Sequence, residues 1–243
     1  MNVTLAMRVK NEARWIERCV RSFLPICDRA VIMDDHSTDG TPDICAAIPN
    51  VEVLSSPFSD LDESRDKNWL LEHVGSTDWI LSIDGDEMLA PGEEGKLRDE
   101  MANLHPAYSC LSFRILYLWD REDQVRVDGV YGQFRRESAF KPNGAQFSST
   151  SAGGNFHCGN VPWQIRQKRK AADVALLHFG YMHREDRERK FYWYNDRDPM
   201  NFGEDCYRHI LIGDLYPASS KFMHAGPLEL KPLEEQCQVG TAA

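Results

Sequence analysis

A chain of 243 residues is long enough for one large domain or two small ones with a sizeable buried core. Its formal net charge of −10 argues against a protein that binds nucleic acid through the phosphate backbone, because such proteins are usually basic. No apolar run approaches the roughly 18–20 residues of a membrane-spanning helix, and the start of the chain has no signal-peptide pattern, so we expect at most peripheral contact with a membrane.

The first ninety residues alternate between strand and helix patterns. Apolar runs at 3–9, 30–33, 51–54 and 79–83 predict buried strands, and helical patterns lie between them. This alternation predicts an α/β fold with a mostly parallel sheet that helices cover.

Three helices are predicted between these strands. One face of the first helix carries the apolar residues Ile16, Cys19, Val20, Phe23 and Leu24. Asn11 is a candidate N-cap for this helix. The second helix is predicted to begin with Thr41 as its N-cap and Pro42 in its first helical position. Residues 62–74 predict the third helix.

Two acidic clusters, 34–39 and 84–87, come directly after predicted strands. Ligands of such sheets bind at the carboxyl ends of the strands, so both clusters should lie at the same edge of the sheet.

The second half is less regular. Residues 108–118 and 124–130 predict longer strands, and 141–159 predict a loop rich in Gly, Ser, Asn and Thr. An apolar run at 174–179 and a helix at 184–194 follow. Residues 227–243 predict a flexible tail.

The seven cysteines include no Cys-x-x-Cys pair. Scattered cysteines in odd number are typical of reduced thiols in a cytoplasmic protein, and we expect that location.

The acidic cluster after the fourth strand contains Asp84-Gly85-Asp86. Two carboxylates separated by a glycine can hold Mg²⁺ or Mn²⁺ and leave coordination positions for phosphate oxygens. The alternative is a solvated acidic turn. In the earlier cluster, Asp35 can accept hydrogen bonds from a nucleobase N–H or a ribose hydroxyl, or it can simply form the turn.

Three segments taken together, 6–12, 34–41 and 84–87, resemble the family 2 glycosyltransferases of the GT-A fold in order and spacing. The resemblance implies a central mostly parallel sheet with helices on both faces and a smaller antiparallel sheet on the acceptor side. It also implies a single domain over residues 1–226, with a nucleotide-sugar-binding half at 1–90 and an acceptor half at 91–226.

The resemblance also implies roles for individual residues. Arg8 and Glu12 belong to the loop that lines the nucleotide base, and Asp35 would bind that base. Arg65 would lie near the base and phosphates, or it would be a helix cation that pairs with Asp62 or Asp66. Asp84 would approach the ribose, and Gly85 would belong to the same nucleotide-sugar site. Asp86 would bind a divalent cation, Mn²⁺ or Mg²⁺.

His178 resembles a late histidine that completes the metal sphere in related transferases. Its alternative is a buried core histidine at a strand end. Lys190 could bind the leaving diphosphate, or it could belong to the solvated face of its helix.

The catalytic base is less defined, because many relatives carry His-Glu where this chain has His157-Cys158. Either His157 acts as the base, or an acid elsewhere, Asp120 or Asp128, does, or the stereochemical course of the transfer differs.

The sequence therefore predicts metal-dependent transfer of a glycosyl group from a nucleoside diphosphate sugar to an acceptor hydroxyl. A nucleotidyltransferase is a second hypothesis, although such enzymes need a Gly-rich loop after the first strand, where residues 10–14 contain no glycine. A non-catalytic sugar-nucleotide-binding protein is a third, since the expected carboxylate base is missing.

Overall fold

The computed structural model describes residues 1–148, 158–198, 207–216 and 226–237. The elements, in chain order, are β1 (Val3–Val9), α1 (Ile16–Phe23), β2 (Arg29–Asp34), α2 (Thr41–Ala46), β3 (Val51–Ser55), α3 (Glu63–Val74), β4 (Trp79–Ser82), β5 (Glu87–Leu89), α4 (Glu94–Ala102), β6 (Cys110–Trp119), β7 (Arg121–Arg126), β8 (Arg135–Phe140), α5 (Trp163–Arg166), β9 (Arg169–His178), α6 (Arg184–Arg197), β10 (Leu230–Pro232) and α7 (Leu233–Cys237).

The chain forms two compact units. Within the described residues, the first unit comprises 1–113, 136–148 and 158–174, and the second comprises 114–135 and the residues from 175 onward. The first unit thus contains more of the chain than residues 1–90, and the expected division into donor and acceptor halves stays a prediction.

The first unit is built on a sheet with the strand order β8-β4-β1-β2-β3. The pairs β1–β2, β1–β4 and β2–β3 are parallel, and β8 is antiparallel to β4. Strands β1, β2 and β4 are buried on both faces and read as continuous apolar runs, which is why the sequence predicted them. Helix α1 buries its predicted apolar stripe, with Ile16, Cys19, Val20 and Phe23 each 0% exposed.

The register of this sheet determines which chain segments meet at its edge. Val9 pairs with Asp34, and Ala6 pairs with Ser82. The backbone N–H of Asp35 continues the ladder by donating to Val9 O at 2.8 Å. The segments after β1, β2 and β4 therefore leave the sheet at the same edge, as predicted.

Two of the predicted helix caps are wrong. Asn11 does not cap α1, whose N-cap is Trp15, and Asn11 has a left-handed backbone with φ of 56°. Thr41 is the first helical residue of α2, and the cap is Gly40 with φ of 84°. Both residues instead connect the two loops at the sheet edge.

The second unit contains antiparallel strands in the order β10-β7-β6. The predicted strand at 124–130 is wrong at its end, because β7 stops at Arg126 and residues Gly129–Gly132 form a 3-10 turn. Gly129, with φ of 54°, allows that turn.

The tail prediction is wrong for residues 230–237. Strand β10 pairs with β7 in this region, and α7 follows it. The reason is apolar packing, since Leu228 and Leu230 contact the cluster of Trp119, Tyr131 and Ile212. Among the described residues, no helix is both long and apolar enough to cross a membrane.

Candidate functional site

Arg8, on β1, connects two carboxylates at the sheet edge. Its Nη2 donates to Asp35 Oδ2 at 2.8 Å, and its Nε donates to Asp66 Oδ2 at 2.9 Å. Asp66 is fully buried in α3, so a cationic partner offsets the cost of its desolvation. Lys10 Nζ also reaches Asp35 Oδ2, at 3.4 Å. Both of these donors engage Oδ2 of Asp35.

Arg65 belongs to the same network. Its Nη2 donates to Asp66 Oδ1 at 2.8 Å, and its Nη1 donates to Asp60 Oδ1 at 2.8 Å. The guanidinium carbon lies 3.9 Å from the centroid of the Phe58 ring. The expected pairing with Asp66 is therefore present. Arg65 and Arg8 both donate to the carboxylate of Asp66, which joins them in one network.

The loop after β1 is fixed to the loop after β2 by hydrogen bonds. Its backbone N–H groups donate to side chains of the second loop, from Asn11 to Ser37, from Glu12 to Thr41 and from Ala13 to Asp39, at 2.8, 2.8 and 3.0 Å. Burial raises the pKa of Asp39, but hydrogen bonds from Thr41 and Ala13 outweigh it and the pKa is lowered. The side chain of Asp39 therefore joins the two loops.

Gly85 allows the loop after β1 to contact the acidic segment after β4. A Cβ at this position would lie 2.9 Å from Val9 Cγ1 and 3.0 Å from Glu12 Cγ. Val9 is buried in β1 and cannot easily move. The glycine between Asp84 and Asp86 is therefore required by close packing.

Asp84 is held at both of its oxygens. Arg136 Nη1, from β8, donates to Oδ2 at 2.7 Å, and Asn160 Nδ2 donates to Oδ1 at 3.2 Å. The side chain of Asp84 remains 45% exposed. Burial raises the pKa of Asp84, but the positive charges of Arg136 and Lys67 outweigh this effect and lower it, so the carboxylate is ionised.

Glu87 follows in the same segment and is 0% exposed. Its Oε2 accepts from Arg136 Nη2. Its Oε1 is buried and takes no hydrogen bond from the described residues. Burial raises the pKa of Glu87 to about 8, Arg136 opposes the rise, and the neighbouring carboxylates Asp84 and Asp86 add to it.

The chemistry of these side chains fits a hard divalent cation. Asp84 and Asp86 carry carboxylate oxygens, the type of ligand that Mg²⁺ and Mn²⁺ prefer. The described residues contain no group of three or more potential metal-ligating side chains. A cation at this edge would therefore take its other ligands from water and from phosphate oxygens.

The remaining predicted site residues belong to the second unit or are not described. His178 is buried, and its ring centroid lies 4.8 Å from that of Tyr117 and 4.7 Å from that of Tyr181. Lys190 Nζ lies 5.4 Å from the centroid of the Tyr181 ring. His157 lies outside the described residues. The roles expected for these residues stay predictions.

Asp128, a candidate base, is buried beside Arg126. Arg126 Nε donates to Oδ1 at 2.7 Å, and Nη2 donates to Oδ2 at 2.9 Å. The backbone N–H of Glu229 also donates to Oδ1, at 3.2 Å. Both oxygens of Asp128 are thus occupied by neighbours in this structure. Asp120, the other acidic candidate, is 51% exposed and pairs with Arg187.

The structure therefore brings together the predicted residues of the first unit, namely Arg8, Glu12, Asp35, Arg65, Asp84, Gly85 and Asp86. The sequence reasoning missed Arg136, Asn160 and Lys67. Arg136 and Asn160 lie 52 and 76 residues from Asp84 in the chain, so no local pattern relates them to it.

Comparisons with known proteins find a matching family model and several similar proteins. A family model described as "Glycosyl transferase family 2" matches residues 4–157. An uncharacterized glycosyltransferase of Rickettsia bellii is 28% identical over 146 residues, which are 58% of this chain and 46% of that protein. The SPbeta prophage-derived glycosyltransferase SunS of Bacillus subtilis is 30% identical over 96 residues, which are 39% of this chain and 22% of SunS.

The crystal structure of S. aureus TarS is similar with a TM-score of 0.53 and 15% identity, over 88% of this chain and 43% of that chain. This likeness confirms the predicted α/β fold of the GT-A type. The chain spans less than half the length of each of these three proteins.

Proposed function

Because the chain belongs to glycosyl transferase family 2, we propose that it transfers a glycosyl group from a nucleoside diphosphate sugar to an acceptor hydroxyl with the help of a divalent cation. The observation that carries the proposal is the meeting of Asp35 and Asp84 at one edge of the sheet. Arg8 holds Asp35, on the side that would bind the base. Gly85 lets the loop after β1 pack against the acidic segment that would bind the phosphates. Both sides therefore lie along the same edge of the sheet.

Asp35 and its neighbours supply the nucleotide side of this surface. Arg8 and Lys10 hold Oδ2 of Asp35, and Oδ1 of the same carboxylate would accept an N–H of the base. Arg65 is fixed by Asp60 and Asp66, and it presents a cation beside the same network. This preorganisation lowers the entropic cost of binding a nucleotide.

Asp84 and Asp86 supply the metal side. Asp84 is ionised and partly exposed, and Asp86 follows it after a glycine that permits close approach of the loop after β1. The proposed cation, when bound, neutralises the negative charge that develops on the leaving diphosphate. His178 as a further ligand, and Lys190 as a cation for the diphosphate, remain part of this proposal.

The proposal is tested by incubating the chain with radiolabelled UDP-, GDP-, dTDP- and ADP-sugars, with Mn²⁺ or with a chelator. Release of sugar that requires Mn²⁺ from one of these donors supports it. Equal release in the chelator would contradict metal dependence.

A sugar-nucleotide-binding protein without catalysis is the second candidate. It is favoured by the engagement of both Asp128 oxygens by Arg126. Tight donor binding without release or transfer of the sugar would select this candidate over the enzyme.

A further inference from the structure

Lys67, on α3, ends against the chain segment 158–160. Its Nζ donates to Cys158 O at 2.8 Å, to Gly159 O at 3.3 Å and to Asn160 Oδ1 at 3.0 Å. An ammonium group has three N–H donors, so one segment uses its full capacity. The side chain is only 12% exposed. Lys67 is therefore a largely buried side chain with fixed hydrogen-bond partners and not a solvent-exposed cation.

Glu63, one turn earlier on α3, supports the same contact. Its Oε2 accepts from the backbone N–H of Cys158 at 2.9 Å and lies 3.8 Å from Lys67 Nζ. Segment 158–160 therefore accepts hydrogen bonds from Lys67 and donates one to Glu63. Both partners lie one turn apart on α3, and together they fix the position of the segment.

The chemistry of Lys67 determines which way the amide of Asn160 points. Lysine can only donate, so the amide oxygen of Asn160 must face Lys67. The amide nitrogen then faces the other way, where Nδ2 donates to Asp84 Oδ1 at 3.2 Å. A flipped amide would place an N–H₂ group against an ammonium and an oxygen against a carboxylate, and both contacts would be repulsive.

We propose that Lys67 is a positioning residue for the donor site, because it fixes the Asn160 amide in the one orientation that holds Asp84. This inference rests on the proposed role of Asp84 in donor binding. Arg136 holds the other oxygen of Asp84, so without Asn160 the carboxylate is free to turn about that single contact.

The test measures binding of UDP, GDP, dTDP and ADP by calorimetry in the presence of Mn²⁺, and then uses the nucleotide that the unmodified chain binds most tightly. We expect Lys67→Met to raise Kd about tenfold, the effect of one lost charge-assisted hydrogen bond. Asn160→Leu should give a similar rise, and the double variant should be no worse than Lys67→Met because both changes remove the same contact. Lys67→Arg should restore most of the affinity, since arginine also only donates.

Lys96→Met is the matched control, because Lys96 also pairs with two acidic side chains, those of Glu93 and Asp173, but lies on a different helix. Its Kd should equal that of the unmodified chain. A merely structural Lys67 would lower the melting temperature of Lys67→Met and leave its Kd unchanged, and that result overturns the proposal. Additive losses in the double variant overturn it too.

Failure of the unmodified chain to bind any of the nucleotides would reject the proposed function, so a second measurement tests Lys67 separately. In crystal structures of the variants, the contact from Asn160 Nδ2 to Asp84 Oδ1 should be lost in Lys67→Met and kept in Lys67→Arg. Retention of that contact in Lys67→Met would overturn the inference whatever the chain binds.

Discussion

Arg136 Nη1 lies 2.7 Å from Asp84 Oδ2, although the two residues are 52 positions apart in the chain. The second nitrogen of the same guanidinium donates to Glu87, which is fully buried. One guanidinium from β8 thus binds two acidic side chains of the segment after β4. This relationship explains how several acidic groups can lie together at a sheet edge.

Arg136→Met should destabilise the chain by about 1–3 kcal/mol, because it leaves buried acceptors without their charged donor. Chemical denaturation at neutral pH measures the change. Arg121→Met is the control, since Arg121 and its partner Asp123 are both exposed, and it should change the free energy of unfolding by less than about 1 kcal/mol. Equal stability of Arg136→Met and the unmodified chain would contradict this account of the site.

Glu87→Gln should reduce the dependence of stability on pH. Burial raises the pKa of Glu87 from its ordinary value of 4.5 to about 8, so between these values the folded chain holds a proton that the unfolded chain has released. The contribution of Glu87 to the free energy of unfolding therefore falls as the pH rises from about 4.5 to about 8. Glutamine stays neutral and still offers an oxygen to Arg136.

The measurement is the unfolding free energy of the unmodified chain and Glu87→Gln at several pH values between 5 and 8, with a chelator present. The unmodified chain should lose more stability across this range than the variant. Glu17→Gln, at an exposed helix position, should behave like the unmodified chain. Parallel pH profiles for all three proteins would disprove the raised pKa.

Gly85→Ala should weaken nucleotide binding. Its Cβ would come within 2.9 Å of Val9 and 3.0 Å of Glu12, so the loop after β1 must move away from the acidic segment. We expect the Kd for the bound nucleoside diphosphate to rise at least about tenfold, which corresponds to about 1.4 kcal/mol. Gly95→Ala is the control, because nothing lies within 4 Å of a Cβ at that helical position. Helix propensity makes that control neutral or stabilising.

Asp128→Asn should destabilise the chain, because Asp128 pairs with the buried guanidinium of Arg126. Asparagine can accept through one oxygen only, and we expect a loss of about 1–3 kcal/mol. Denaturation and, where turnover is measurable, single-turnover transfer at low temperature give the two readouts. A loss of transfer of about a hundredfold without a change in stability would instead identify Asp128 as the general base.

The sequence predicted the parts of the site that depend on local patterns. Strand β1 and strand β4 are buried on both faces and read as apolar runs, so the acidic segments after β2 and β4 could be assigned to one sheet edge. Arg136 and Asn160 could not be assigned, because only the tertiary fold brings β8 and the segment before α5 to Asp84. The tail was misjudged because Leu228 and Leu230 are spaced too sparsely to predict a strand without the aromatic cluster they pack against.

The central claim is that the sheet edge containing Asp86 binds the nucleotide of the donor together with a metal ion. The most direct test is whether metal-dependent nucleotide binding by the chain requires Asp86. Calorimetry with the nucleoside diphosphate and Mn²⁺ should show binding to the unmodified chain that a chelator abolishes. Asp86→Asn should lose it, whereas Asp123→Asn, at an exposed aspartate paired with Arg121, should retain it. Equal metal-dependent binding by Asp86→Asn and the unmodified chain would contradict the assignment of this sheet edge as the donor site.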